Sequence, residues 1–228
     1  MVQQPDIDIV VGKFTQNTKP IDRYTSFDYC FNYFRPSNDL TKDIEKSCLE
    51  LGFYLASWGM YRGSSALLQK SVKCFSPLIE YLSALDESDW DIDLNNYSDK
   101  NIQRIITIYK EVKRILIKKG NADVTLVTKI LLGVFGFVPA FDSYFTSTFR
   151  EIYGEQCGFR RVNTESLTLI KTFYESNRST IDDLSQRTFT TDFIEETKTT
   201  INYPRAKIVD MYGFTRAFKK RESVIVQS

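Results

Sequence analysis

The segment SDKNIQRIITIYKEVKRILIKK, residues 98–119, gives the clearest indication of the fold class. Its apolar residues recur every three or four positions, which is the spacing of one face of an α-helix. That face consists of Ile102, Ile105, Ile106, Tyr109, Val112 and Leu116. The opposite face is basic and carries Arg104, Lys110, Lys113, Arg114 and Lys118. The segment therefore predicts a long amphipathic helix, which ends at Gly120.

The same spacing continues through most of the chain. Further helices are expected at about 39–58, at 68–82 with a kink or a restart at Pro77, at 122–134 and 140–151, after Asn163 and after Pro204. Strand-like alternation is weak and is confined to residues 187–193 and 223–228. We therefore expect an all-α protein of about eight helices, with residues 1–228 in a single compact domain. The acidic, turn-rich segment 86–99 is predicted to be an exposed loop and is the best candidate for an internal lobe boundary.

Composition excludes several classes of function. The chain contains no histidine, which excludes Ser-His-Asp triads, Cys-His pairs and histidine-ligated zinc. The net charge is +1, so the whole protein has no strong field that would attract a polyanion. Any nucleic-acid contact must use a local patch, and the basic face of residues 98–119 is the candidate, although a solvated surface is the favoured interpretation of that face. No metal site and no cofactor are predicted.

Several features favour a cytoplasmic protein. The uncharged apolar run at 130–141 is shorter than the roughly 18 to 20 residues that span a bilayer, and the N-terminus has no basic leader. The cysteines are widely spaced and form no CxxC pair, so free thiols are expected at Cys30, Cys48, Cys74 and Cys157.

One arginine stands in an unusual turn, SWGMYRGSSALL at 57–68. The glycines on either side of Met60–Arg62 indicate positive φ angles or a close approach of another segment. Arg62 either bonds carbonyls at the end of the preceding helix or points its planar donors at an anionic ligand. In the first case an aromatic ring of the turn is expected to stack on its guanidinium. Ser64 and Ser65 would cap the next helix and place its free N–H groups beside Arg62. The candidate ligand-binding residues are therefore Arg62, Ser64, Ser65, Trp58 and Tyr61.

Two other segments carry isolated charges in apolar surroundings. Lys129 and Asp142 are the charged residues of 128–145, and groups of this type are seldom buried unless they are paired. They either pair at a helix edge or face a pocket as catalytic candidates with shifted pKa values. Lys207 and Asp210 stand three positions apart, which favours a local ion pair on one helix.

Three blocks, LASWGMYRGSSALLQ, KILLGVFGFVPAFDSYF and YPRAKIVDMYGF, resemble the motif blocks of an uncharacterised family of small, all-helical bacterial proteins. The resemblance covers about residues 40–215 and implies one bacterial, cytoplasmic domain without implying an activity.

The segment LLGVFGFVPA is also similar to the hairpin of helix-hairpin-helix DNA glycosylases. That resemblance implies a hairpin that grips a DNA phosphate and an aspartate that assists removal of a flipped base. Here the hairpin has an extra residue, Phe135, Asp142 lies close behind it and Lys129 precedes it.

Two hypotheses follow. The first is a binding or regulatory protein that recognises a partner or an anionic ligand through the Arg62 turn. The alternative is a nucleic-acid-processing enzyme that uses Asp142 and Lys129.

Overall fold

The computed structural model describes residues 6–16, 18–35, 39–63, 65–117, 124–154 and 156–226, with backbone alone for 219–226. The helices are α1 Ile7–Gln16, α2 Ser26–Phe34, α3 Ile44–Ser57, α4 Ser76–Ser83, α5 Asp99–Leu116, α6 Val124–Val134, α7 Ser143–Tyr153, α8 Thr164–Ser176, α9 Arg178–Arg187 and α10 Arg205–Val226. The strands are β1 Phe189–Thr191 and β2 Lys198–Asn202, which pair antiparallel. The mostly helical class is confirmed, with ten α-helices in the described residues instead of about eight and a small sheet in addition.

The best-patterned helices lie where the sequence places them. The Ser98 side chain accepts from Asn101 N and caps α5, and Asn163 caps α8 in a capping box. The apolar face of α5 is buried. This helix ends at Leu116, earlier than expected, and Lys118 and the predicted stop at Gly120 lie outside the described residues.

Two local patterns in the sequence do not form the structure that they suggest. Residues 66–69 form a turn and Val72–Phe75 a short 3-10 helix, so the α-helix expected from Leu68 begins only at Ser76. Tertiary packing explains the difference, since Val72 lies so close to α3 that a Cβ on Gly52 would meet its Cγ1 at 2.4 Å. The weak strand pattern at 223–226 is helical and belongs to α10.

The segment 86–99 is not the exposed loop that its composition suggests. Trp90, Ile92, Leu94 and Tyr97 are buried and belong to the same apolar cluster as the helices before and after them. The carboxylate of Asp93 accepts from the backbone N–H groups of Arg205 and Ala206 at 2.9 and 3.1 Å. One acidic residue of the segment, Asp93, thus caps α10.

Helix α10 is central to the packing and lies against α1, α7 and α9. Its Gly213 permits close contact with α7, because a Cβ there would lie 2.8 Å from the Phe145 ring. All four cysteines are free, as expected, and Cys74 is the half-buried one. Within the described residues, the longest apolar helices fall short of what a bilayer crossing requires.

Candidate functional site

The turn after α3 has its shape set by Gly59. Gly59 has φ +75° and its N–H donates to the Ala56 carbonyl, while Met60 N donates to the Leu55 carbonyl. This pair of bonds is a Schellman motif, which satisfies the carbonyls at the end of the helix. Gly63 also has a positive φ, +62°. Of the two alternatives that the sequence left open, positive φ or a close approach of another segment, positive φ is found at both glycines.

Arg62 does not hold this turn together. Backbone N–H groups already occupy the helix-end carbonyls, and the guanidinium has no hydrogen-bond partner among the described residues. The Arg62 side chain is exposed and lies back over Gly59, where a Cβ would come within 2.7 Å of its Nε. The expected stacking on Trp58 or Tyr61 is absent from the described contacts. Within the described part of the chain, the donor fork of Arg62 therefore has no hydrogen-bond partner.

The roles predicted for Ser65 and Tyr61, as a helix cap and as a stacking partner of Arg62, are not found. Ser65 Oγ donates to the Met60 carbonyl and accepts from Leu67 N, so it shapes the turn and caps no helix. Ser64 lies outside the described residues. The Tyr61 hydroxyl has no described partner, and burial raises the pKa of Tyr61 to about 12. The predicted anion site at a helix following Ser65 is therefore wrong, because no helix begins there.

A cleft of about 720 Å³ nevertheless opens beside Arg62. We call it the Arg62 cleft, and it is lined by Trp58, Gly59, Met60, Arg62, Gly63, Ser65, Ala66, Val124, Thr125, Leu126 and Arg160. Arg160 is exposed and, like Arg62, has no carboxylate partner among the described residues. The first turn of α6 forms one wall, so the positive end of a helix dipole faces the cleft. The cleft therefore combines an apolar wall with two guanidinium groups that have no carboxylate partner among the described residues.

The Lys129–Asp142 pair forms as predicted, with 3.1 Å between Lys129 Nζ and Asp142 Oδ2. The Lys129 side chain is only 4% exposed, so the pair lies inside the protein and not at a helix edge. Asp142 also caps α7, because its Oδ1 accepts from the N–H groups of Tyr144 and Phe145, each at 3.0 Å. Both catalytic candidates therefore have structural partners.

The Lys207–Asp210 pair is deeper still. Lys207 Nζ lies 3.3 Å from Asp210 Oδ2, and the lysine side chain is 2% exposed. Burial lowers the pKa of Lys207 and raises the pKa of Asp210, although the attraction between the two groups acts in the opposite direction. Asp210 Oδ1 also accepts from Ala140 N at 3.0 Å, which joins the pair to the segment before α7.

Trp58 links both pairs to the cleft. Its ring lies 4.7 Å from Lys129 Nζ and 5.2 Å from Lys207 Nζ, within the range of cation–π attraction. The same indole lines the Arg62 cleft, and its N–H has no described hydrogen-bond partner. Lys129, with its partner Asp142, and Lys207 therefore meet at the Trp58 ring, whereas Arg62 is exposed and lines the cleft.

The segment similar to a DNA-gripping hairpin is enclosed by the protein. Residues 131–141 are all buried, and a Cβ on Gly136 would meet Pro204 at 2.4 Å and Phe31 at 2.8 Å. In this arrangement its backbone N–H groups are not presented to a phosphate.

The basic face of α5 is partly neutralised. Arg104 makes a two-point contact with Asp89 at 2.7 and 2.6 Å, and Arg114 pairs with Glu111. Lys110 and Lys113 are exposed.

Two structural features, the position of Arg160 and the buried Asp28, escaped the sequence analysis. Arg160 carries no local signal, because it stands in an irregular segment before α8 and reaches the cleft only through the fold. Asp28 is buried and accepts from Tyr203 Oη at 2.5 Å and from Thr191 N at 2.8 Å. Burial raises the pKa of Asp28 despite these hydrogen bonds. The sequence feature that could have indicated a buried Asp28 is its position as a lone aspartate at the start of an aromatic-rich helix.

The described residues contain no group of three or more cysteine, aspartate or glutamate side chains arranged to hold a metal ion. Comparison with known proteins finds no matching family model, no matching curated protein and no matching solved structure.

Proposed function

We propose that the protein is a non-enzymatic binding protein that recognises an anionic ligand in the Arg62 cleft. The observation that carries the proposal is that Arg62 and Arg160 line one cleft and neither has a carboxylate partner among the described residues. Unpaired guanidinium groups in a concave site are suited to carboxylate or phosphate oxygens, which they bind through two parallel hydrogen bonds.

The rest of the cleft supports a ligand with an apolar part. Trp58, Met60 and Leu126 offer apolar surface, while the first turn of α6 adds positive potential. An anion attached to a ring or a short apolar chain would use both. The ligand is either a small molecule or an acidic side chain of a protein partner.

The test is a ligand-shift thermal melt with ATP, inorganic phosphate, and single-stranded DNA and RNA oligomers as probes. At least one anion is expected to raise the melting temperature, because a ligand that binds only the folded state stabilises it by mass action. Arg62→Ala and Arg160→Ala should each remove the shift. Arg161→Ala is the matched control, since Arg161 is exposed beside Arg160 but does not line the cleft.

A shift that survives both cleft substitutions would contradict the proposal, as would the absence of any shift. An oligonucleotide shift that survives Arg62→Ala but is lost in Lys110→Glu would instead favour nucleic-acid binding on the basic face of α5.

A further inference from the structure

A group of exposed apolar side chains lies where the β1–β2 hairpin meets the segment before α2. Ile21, Phe193 and Ile194 are 88%, 71% and 83% exposed. Tyr29 joins them, because its ring centroid lies 4.9 Å from that of Phe193 and its hydroxyl donates to the Pro20 carbonyl at 2.8 Å. We call the side chains of Ile21, Tyr29, Phe193 and Ile194 the hairpin patch. Exposed apolar groups that adjoin one another mark interaction surfaces, whereas single ones are ordinary.

The exposure of Phe193 and Ile194 is built into the hairpin loop. The Asp192 carboxylate accepts from the N–H groups of Ile194 and Glu195, each at 2.8 Å. Asp192 N also donates to the Thr197 carbonyl at 2.8 Å. These bonds fix the backbone of the loop. A surface that is ordered before binding loses less conformational entropy when a partner covers it, so the hairpin patch is suited to association.

The charges around the hairpin patch differ from one side to the other. On the side of Ile21, Lys19 and Arg23 are exposed. On the side of the hairpin, Glu195 and Glu196 are exposed and directly follow the apolar tip of the loop. None of these four charged side chains has an ion-pair partner among the described residues. The patch therefore has a basic side and an acidic side.

Two further charges lie nearby, and each already has a partner. The Asp22 carboxylate accepts from Lys19 N at 2.8 Å. Lys198 Nζ donates to Thr191 Oγ1 at 3.0 Å. They reduce the net charge of the two sides without reversing its sign.

This arrangement is self-complementary. In a dimer with a twofold axis, the same surface of each copy contacts the other copy. An axis through Tyr29 would place Ile21 of one copy against Ile194 of the second copy. The basic side of each copy would then face the acidic side of the other at both ends of the contact. Opposite charges around an apolar contact favour the correct partner and fix its orientation.

We propose that the hairpin patch is the contact between two copies of this chain, arranged about a twofold axis with the basic side of each copy on the acidic side of the other. The apolar part consists of four side chains and is small compared with the roughly 1,600 Å² that a typical stable complex buries, so the dimer is expected to be weak. The dimer is independent of the Arg62 cleft, because no residue of the patch lines that cleft.

Sedimentation velocity of the full chain at about 10 µM to 1 mM measures the monomer–dimer equilibrium. The original protein is expected to dimerise within this range. Ile194→Asn should weaken the dimer at least about tenfold, because each dimer loses two buried isoleucines while the backbone bonds of the loop remain. Phe53→Asn is the matched control. Phe53 is 63% exposed on α3 and is not part of the patch, so its substitution should leave the equilibrium unchanged.

An exchange of charges tests the twofold arrangement. Arg23→Glu should weaken the dimer, and so should Glu195→Lys combined with Glu196→Lys, since like charges then meet at both ends of the contact. An equimolar mixture of these two variants should dimerise more tightly than either variant by itself, because opposite charges meet again in the mixed dimer. Raising the salt concentration should reduce this gain, since salt screens exposed charges.

Four results would overturn the proposal. The first is a protein that stays monomeric at every concentration. The second is an equal weakening by Ile194→Asn and Phe53→Asn. The third is a mixture of the charge variants that dimerises no better than its components. The fourth is binding of the monomer to phosphatidylcholine vesicles that Ile194→Asn abolishes, which would assign the hairpin patch to a lipid surface.

Discussion

Arg62 differs from a structural arginine in that its turn is complete without it. The Schellman bonds of Gly59 and Met60 satisfy the end of α3, and the guanidinium is exposed without a described partner. Arg62→Ala is therefore expected to melt no lower than the original protein, because it leaves no acceptor unpaired and removes an unbalanced charge. Differential scanning calorimetry of the unliganded proteins provides the measurement. A loss of about 1 kcal/mol or more would return Arg62 to a structural role.

The charge of Lys207, in contrast, is expected to be required for the stability of the fold. Lys207→Met is expected to destabilise the protein by about 3–5 kcal/mol, because it leaves the Asp210 carboxylate buried without its counter-ion. Adding Asp210→Asn should recover part of the loss, since the amide that replaces the carboxylate carries no charge and its oxygen can still accept from Ala140 N. Urea denaturation of the single and double variants measures the coupling. Equal stability of the single and double variants would argue against ion pairing as the cause.

Spacing along the chain indicated both ion pairs but not their burial. Lys207 and Asp210 are neighbours on one helix surface, and Lys129 and Asp142 are isolated in an apolar run, so each had one obvious partner. Their shared contact with Trp58 could not be predicted, because Trp58 stands far from all four in sequence. The lack of a described partner for Arg62 could not be predicted either. The sequence pattern does not show that backbone N–H groups already bond the last carbonyls of α3.

At the scale of the element, the turn after α3 allows a matched comparison of two glycines. Both Gly59 and Gly63 have positive φ, so an alanine at either position is expected to cost about 1–2 kcal/mol of backbone strain. A Cβ at Gly59 would also displace the Arg62 guanidinium, whereas a Cβ at Gly63 meets nothing within 4 Å. Gly59→Ala should therefore weaken anion binding, and Gly63→Ala should not.

Thermal melts and anion titrations of the two variants test this. Equal effects on affinity would show that the position of Arg62 does not matter for the cleft.

Helices with strong periodicity and clear caps were predictable, and the elements that depend on tertiary contact were not. The α5 and α8 helices have Ser98 and Asn163 as N-caps and continuous apolar faces. The stretch that begins at Leu68 has the same spacing, yet close packing of Val72 on Gly52 holds it in turns and a 3-10 helix. Residues 86–99 were misjudged because acidic residues outnumber the apolar ones that reach the core.

The whole molecule is expected to unfold as one unit, because the buried residues form one apolar cluster that includes the segment 86–99. The chain has two tryptophans, Trp58 near the charge pairs and Trp90 within that segment. The variants Trp90→Phe and Trp58→Phe each retain one tryptophan. In each variant, the urea midpoint measured by the fluorescence of that tryptophan should equal the midpoint measured by circular dichroism at 222 nm. A Trp90 signal that changes at lower urea would reveal a separate lobe bounded by residues 86–99.

The position of α10 has a consequence for protein synthesis. This helix leaves the ribosome after every other described element, and it supplies Lys207, Asp210 and the Gly213 contact against α7. Until it emerges, the face of α7 against which α10 packs is uncovered. Before α10 is synthesised, the nascent chain therefore exposes apolar core surface, which chaperones bind and proteases cleave. A premature stop codon before α10 would yield a product destined for degradation and not a smaller working protein.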